Sequence, residues 1–233
     1  MKKVKRWLVA IVLLPACYGV FQGLWVTLHP FRDVPEGSYC FFAGMLSYVV
    51  FQWAFFRPIR TYVFGHELTH ALASWMIGGN VTQFKVGKHG GSVTVNKSNF
   101  FVALSPYVIP LYSLLLAAAF FTANHFYPLR PYWPLFLWLL GVSMGFHAAL
   151  TAFALRQRQP DLKPTGRLLS GVVIFLGNAL SLVFVMGVAF PRTVSWNHFA
   201  RTSGRHTLSA WREIGHGGYA LYQGTVHELI RRS

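Results

Sequence analysis

The chain has 233 residues, with 21 Lys+Arg against 6 Asp+Glu, and 54% of its residues are hydrophobic while only 12% are charged. So few charged side chains cannot cover a water-facing surface, which excludes an ordinary soluble globule; 17% aromatic residues exclude a solvated, disordered coil. The formal charge of +15 would favour nucleic acid in a soluble protein, but here the cations sit between long uncharged runs. Anionic lipid headgroups and the orienting bias of membrane insertion account for that pattern, and no nucleic-acid partner is expected.

Residues 7–28 form an apolar run preceded by Lys2, Lys3, Lys5 and Arg6, which reads as an uncleaved signal anchor. Cys17 lies inside it and Cys40 in the next apolar stretch, so no disulfide framework is expected. Residues 37–56 are uncharged, and residues 61–77 read as a helix closed by Gly78-Gly79. The stretches 81–86 and 92–95 are β-branched and partly alternating about a glycine-rich turn, the pattern of a β-hairpin. Three later apolar runs cover 98–129, with kinks at Pro106 and Pro110, then 131–155 and 168–191. The basic, aromatic tail 192–233 reads as a solvated or interfacial segment lying on the membrane surface.

These elements predict an all-α membrane protein, a polytopic bundle of about five to six transmembrane helices with a small membrane-associated β-hairpin. Its parts are an anchor and accessory hydrophobic segment (1–60), a membrane core with the hairpin at 80–98 (61–191) and the tail (192–233). The expected partner environment is the lipid bilayer. The N-terminal basic cluster and the loop with Arg156, Arg158, Lys163 and Arg167 should share the cytoplasmic side, which needs an even number of crossings between them. The apolar runs between them are odd in number, and residues 37–56 are the segment expected to fall short of a full crossing.

His66-Glu67-Leu68-Thr69-His70 is an HExxH pattern. On a helix, residues four apart share a face, so both imidazoles can reach one ion with Glu67 beside it. With 10 His among 233 residues, chance supplies only ~0.007 such matches. A glutamate in an apolar helix costs roughly 3 kcal/mol at a membrane centre, a cost that metal coordination offsets. A catalytic zinc needs a third protein ligand and an open position for water.

The acidic residues are Asp33, Glu36, Glu67, Asp161, Glu213 and Glu228. Asp161, just before the last apolar run, can reach the ion from a second helix; the alternative is a solvated loop aspartate paired with Arg158 or Lys163. Glu213 and Glu228 are the rival third ligands. His147 lies in an apolar run as a ligand, a supporting partner or a packed polar residue, and Asn178 as a helix–helix hydrogen-bonding or transition-state-stabilising group. His89 reads as solvated. His227-Glu228 begins a second motif, but Arg231 stands where its second histidine would be.

Across residues 65–178 the chain resembles the site-2 protease family of intramembrane zinc metalloproteases, peptidase family M50. Gly65-His66-Glu67-Leu68-Thr69-His70-Ala71-Leu72 resembles the family's zinc-binding helix, Gly78-Gly79 and the hairpin its membrane-associated β-element, and Ser105-Pro106-Tyr107 the segment opening its next helix. Asp161 resembles its third ligand, although Leu162 follows where many members carry glycine. The resemblance implies one Zn²⁺ held by His66, His70 and Asp161, and Glu67 as general base. It implies a membrane-protein substrate cut in or near a transmembrane segment, and a bacterial cytoplasmic membrane as the location. A membrane metalloprotease of another type and a non-enzymatic metal-binding protein are the rival readings.

Overall fold

The computed structural model describes residues 3–33, 37–87, 90–157 and 159–232. Glu36, His89 and Arg158 lie outside the described residues, as do the side chains of His227, Glu228 and Arg231. Helix α1 (Lys3–Leu28) is followed by α2 (Ser38–Ala54) and α3 (Ile59–Met76). Gly78, at φ +72°, then reverses the chain, and the Gly79 N–H donates to the Ser74 carbonyl at 2.8 Å. Strands β1 (Val81–Val86) and β2 (Gly91–Val95) pair antiparallel, with Val86 opposite Gly91, Phe84 opposite Val93 and an irregularity between Val81 and Gln83.

The apolar run 98–129 is broken as its two prolines predict. A short helix α4 (Phe100–Leu104) is capped by Asn99, whose side chain accepts from the Val102 N–H. A 3-10 turn (Ser105–Tyr107) follows, and α5 (Leu111–Phe126) leaves at 75° to the segment before it. Helices α6 (Trp133–Leu155), α7 (Arg167–Ala189) and α8 (Trp196–Arg232) complete the described chain. The result is a helical molecule with one small hairpin.

Among the described residues, three segments are long and apolar enough to cross a membrane: Lys3–Asp33, Arg130–Leu155 and Arg167–Ala189. The bent pair formed by α4 with its following turn and α5 makes a fourth if counted as one broken span. This is fewer than the five to six expected. Helix α2 has 17 residues, and α3 carries Arg60, His66, Glu67 and His70 among its 18, so neither meets the same length and composition.

Glycine decides which helices touch. A Cβ on Gly44 would strike the Trp138 carbonyl, one on Gly141 would strike Phe41, and one on Gly145 would come within 2.9 Å of the Met45 carbonyl. Residues advance together along both helices, so α2 and α6 run parallel at backbone contact, as small-residue interfaces allow. Residues 37–54 therefore lie alongside the part of α6 from about residue 137 onward. Phe41, Leu137, Leu140, Val183 and Met186 form the apolar core between α2, α6 and α7, and Phe120 of α5 stacks on Phe136 at 4.1 Å.

The C-terminal tail also departs from its expected place. Gly19 and Gly23 of α1 receive Ser203, Thr207 and Phe199 of α8, and Tyr18 meets His206 edge-on at 6.1 Å. As α1 descends α8 ascends, so the two pack antiparallel; Phe199, Thr202 and Ser203 are buried by the contact. Small side chains on both partners permit this approach, and Phe199 of α8 adds an apolar contact to the core that Val20 and Leu24 of α1 pack against. At the other end of α1, the Arg6 guanidinium donates to the Lys163 carbonyl at 3.5 Å, which sets the N-terminal basic cluster beside the 160–166 turn.

Candidate metal centre

The HExxH helix is α3, and its first half is shaped to accept neighbours. Gly65 admits the ring of Tyr112, whose hydroxyl donates to the Thr61 carbonyl at 2.6 Å. His66 and His70 leave the same face, with ring centroids 4.9 Å apart. The third group comes from the turn before α7, where the Asp161 Oδ2 lies 3.4 Å from His66 Nε2 and 3.6 Å from His70 Nε2. One ligand atom from each of the three lies within 4.8 Å of the others. The two histidine side chains are 10% exposed and that of Asp161 is 26% exposed.

These separations test whether the cluster suits a cation. They exceed ordinary N–H···O distances of about 2.7–3.2 Å. They approach the edge of a tetrahedron with bonds of about 2.0–2.1 Å, which is ~3.3–3.4 Å. The His70 Nδ1–H donates to the Val102 carbonyl at 2.7 Å, which turns Nε2 toward the carboxylate, where it can ligate once the ring is neutral. Two ring nitrogens and one carboxylate oxygen thus converge around a position that a cation could take in place of the imidazole protons. The two-nitrogen, one-oxygen donor set could hold a divalent transition metal and leaves room for a further ligand.

Surrounding groups orient the donors. Asn99 caps α4 and thereby aims the Val102 carbonyl at His70. The Tyr62 hydroxyl lies 3.3 Å from His66 Nδ1, and the Tyr107 hydroxyl donates to Asp161 Oδ2 at 2.8 Å. Burial by itself would raise the Asp161 carboxyl pKa. Hydrogen bonds from His66, His70 and Tyr107, with the charge on His70, hold it well below the usual carboxylate range. Asp161 is thus an anion facing the imidazoles, and its contacts are with them and Tyr107 rather than with Lys163.

Glu67 is buried and lines, with the three donors, a cleft of about 670 Å³ between α3, β2, the end of α6 and the 160–164 turn. Strand β2 roofs this cleft. A Cβ on Gly91 would come within 2.6 Å of Val63 and 2.8 Å of Glu67 Cγ. At the cleft's other wall the Arg57 guanidinium sits 4.6 Å over the Phe153 ring.

The other candidates fall elsewhere. Glu213 is exposed on α8, outside the cluster. His147 is no ligand in this arrangement: its Nε2–H donates to Asn178 Oδ1 at 3.1 Å. The Asn178 amide donates in turn to the carbonyls of Tyr107, at 2.7 Å, and Ile174, at 2.8 Å, which is the helix–helix hydrogen-bonding role. Sequence reasoning assigned nothing to Tyr62 or Tyr107; the available signal was a pair of hydroxyl-bearing rings within otherwise apolar stretches. Comparison of the chain with known protein families, curated proteins and solved structures finds no match.

Proposed function

We propose that this protein is an intramembrane metalloprotease, with zinc held by His66, His70 and Asp161 and with Glu67 as its general base. The observation that carries the reading is that two imidazoles four residues apart and a carboxylate from 91 residues further along bring ligand atoms within 4.8 Å of one another, with a buried glutamate beside them. Zinc bound there supplies a water acidic enough to deprotonate near neutral pH and an electrophile for the scissile carbonyl.

With a metal held there, Glu67 would accept a proton from the attacking water and return one to the leaving amine. Glu67 lines the same cleft as the three donors, beside the place a metal-held water would occupy. A substrate helix must be unwound to expose a peptide bond, because its backbone groups are otherwise satisfied internally. Strand β2 is the edge facing the cleft, and an extended segment added there replaces the lost helical hydrogen bonds. The substrate is accordingly a membrane protein cut in or near a spanning segment.

The apolar helices support a bilayer setting, and the reading places it in a bacterial cytoplasmic membrane. The Arg6–Lys163 contact supports a shared cytoplasmic side for the N-terminal cluster and the 160–166 turn. Metal analysis of the purified chain, with a cleavage assay against single-span proteins run beside Glu67→Gln, tests the proposal. Bound zinc with cleavage lost in the variant supports it. A chain without stoichiometric metal, or a variant that cuts like the unaltered protein, refutes it.

A further inference from the structure

Tyr107 is fully buried, yet its hydroxyl is spent on the metal cluster rather than on the fold around it. Its ring meets His66 edge-on at a centroid distance of 5.1 Å, and its hydroxyl donates to Asp161 Oδ2 at 2.8 Å, with Gln159 Oε1 at 3.2 Å as a second acceptor. One side chain therefore touches two of the three donors. The oxygen it holds is the same Oδ2 that faces both imidazoles, so the carboxylate is presented through one oxygen.

The backbone of Tyr107 is itself tied down. Its carbonyl accepts from the Asn178 amide on α7, and Asn178 is held in orientation by His147 of α6. A chain of hydrogen bonds thus runs from α6 through α7 to the turn after α4 and ends on the Asp161 carboxylate. Each member is a polar group in an apolar setting, where an unpaired group costs more than a paired one contributes.

We propose that Tyr107 is a positioning residue that fixes Asp161 as a one-oxygen metal ligand, and that Asn178 anchors Tyr107 for this role. The inference rests on the metal-site reading above. A hydroxyl bonded to the Oδ2 that faces both imidazoles fixes the rotation of the carboxyl group and offers that oxygen to the ion, which preserves the open position that hydrolysis needs. Removing the hydroxyl frees the carboxylate to rotate and to engage through both oxygens.

The test uses the full chain in detergent, stripped of metal and titrated with Zn²⁺ against a competing chelator, and separately loaded with Co²⁺ for its visible spectrum. Tyr107→Phe keeps the ring packing; it should weaken Zn²⁺ binding roughly 10–100-fold and lower the Co²⁺ absorption intensity as coordination number rises. Asn178→Ala, which leaves the hydroxyl in place but releases its segment, should shift both readouts the same way by less. Wild-type affinity and spectrum in these two variants would overturn the proposal. Asp161→Ala separates the two failures, since undiminished Zn²⁺ binding in that variant would sink the metal-site reading itself.

Discussion

In the proposed reading, His66, His70 and Asp161 hold an ion and Glu67 moves a proton. Glu67→Gln keeps the shape and loses the base, so cleavage should fall by at least ~10²-fold while zinc content by elemental analysis stays at one per chain. Asp161→Ala removes a donor and should leave the chain without stoichiometric metal. Imidazoles ligate only as neutral rings, so protons compete with the ion, and chelator-measured affinity should fall as pH is lowered. The helix-borne pair was legible because a four-residue spacing fixes a shared face, and Asp161 because few acidic residues exist from which to choose. Tyr107, Asn178 and His147 were not legible as a set. Their contact depends on the bend at Pro106 and Pro110, which local patterning marks as a kink without giving its direction.

The helices and the hairpin were legible at the level of elements, since apolar run length, Gly78-Gly79 and the two prolines mark their ends. Which element touches which was hidden in glycines whose importance appears only when a neighbour's backbone lies against them. Gly141→Leu should push α2 from α6 and cost about 1–3 kcal/mol, read as a lowered melting temperature in detergent. Gly171 lies mid-helix in α7, and a Cβ added there would meet nothing within 4 Å. It is the matched control: Gly171→Ala should be neutral or add about 0.4–1 kcal/mol. Gly91→Val should lift β2 from α3. Because catalytic groups displaced by about 1 Å can lose ~10²-fold in rate, cleavage should drop steeply while metal content is retained.

Taken as a whole, the molecule pairs its apolar N-terminal helix with its most polar one. Arg201 and Arg205 sit on the exposed side of α8, level with the stretch of α1 between Gly19 and Gly23. If α1 spans the bilayer, those guanidiniums stand at the depth of acyl chains, where each would cost roughly 2.5–3.5 kcal/mol by insertion scales. An aqueous crevice along that outer flank would remove the cost. Single cysteines introduced at 201 and 205 should react with a membrane-impermeant maleimide in intact vesicles, whereas one at Phe21 should stay protected. Equal protection at all three would rule out an aqueous crevice along that flank.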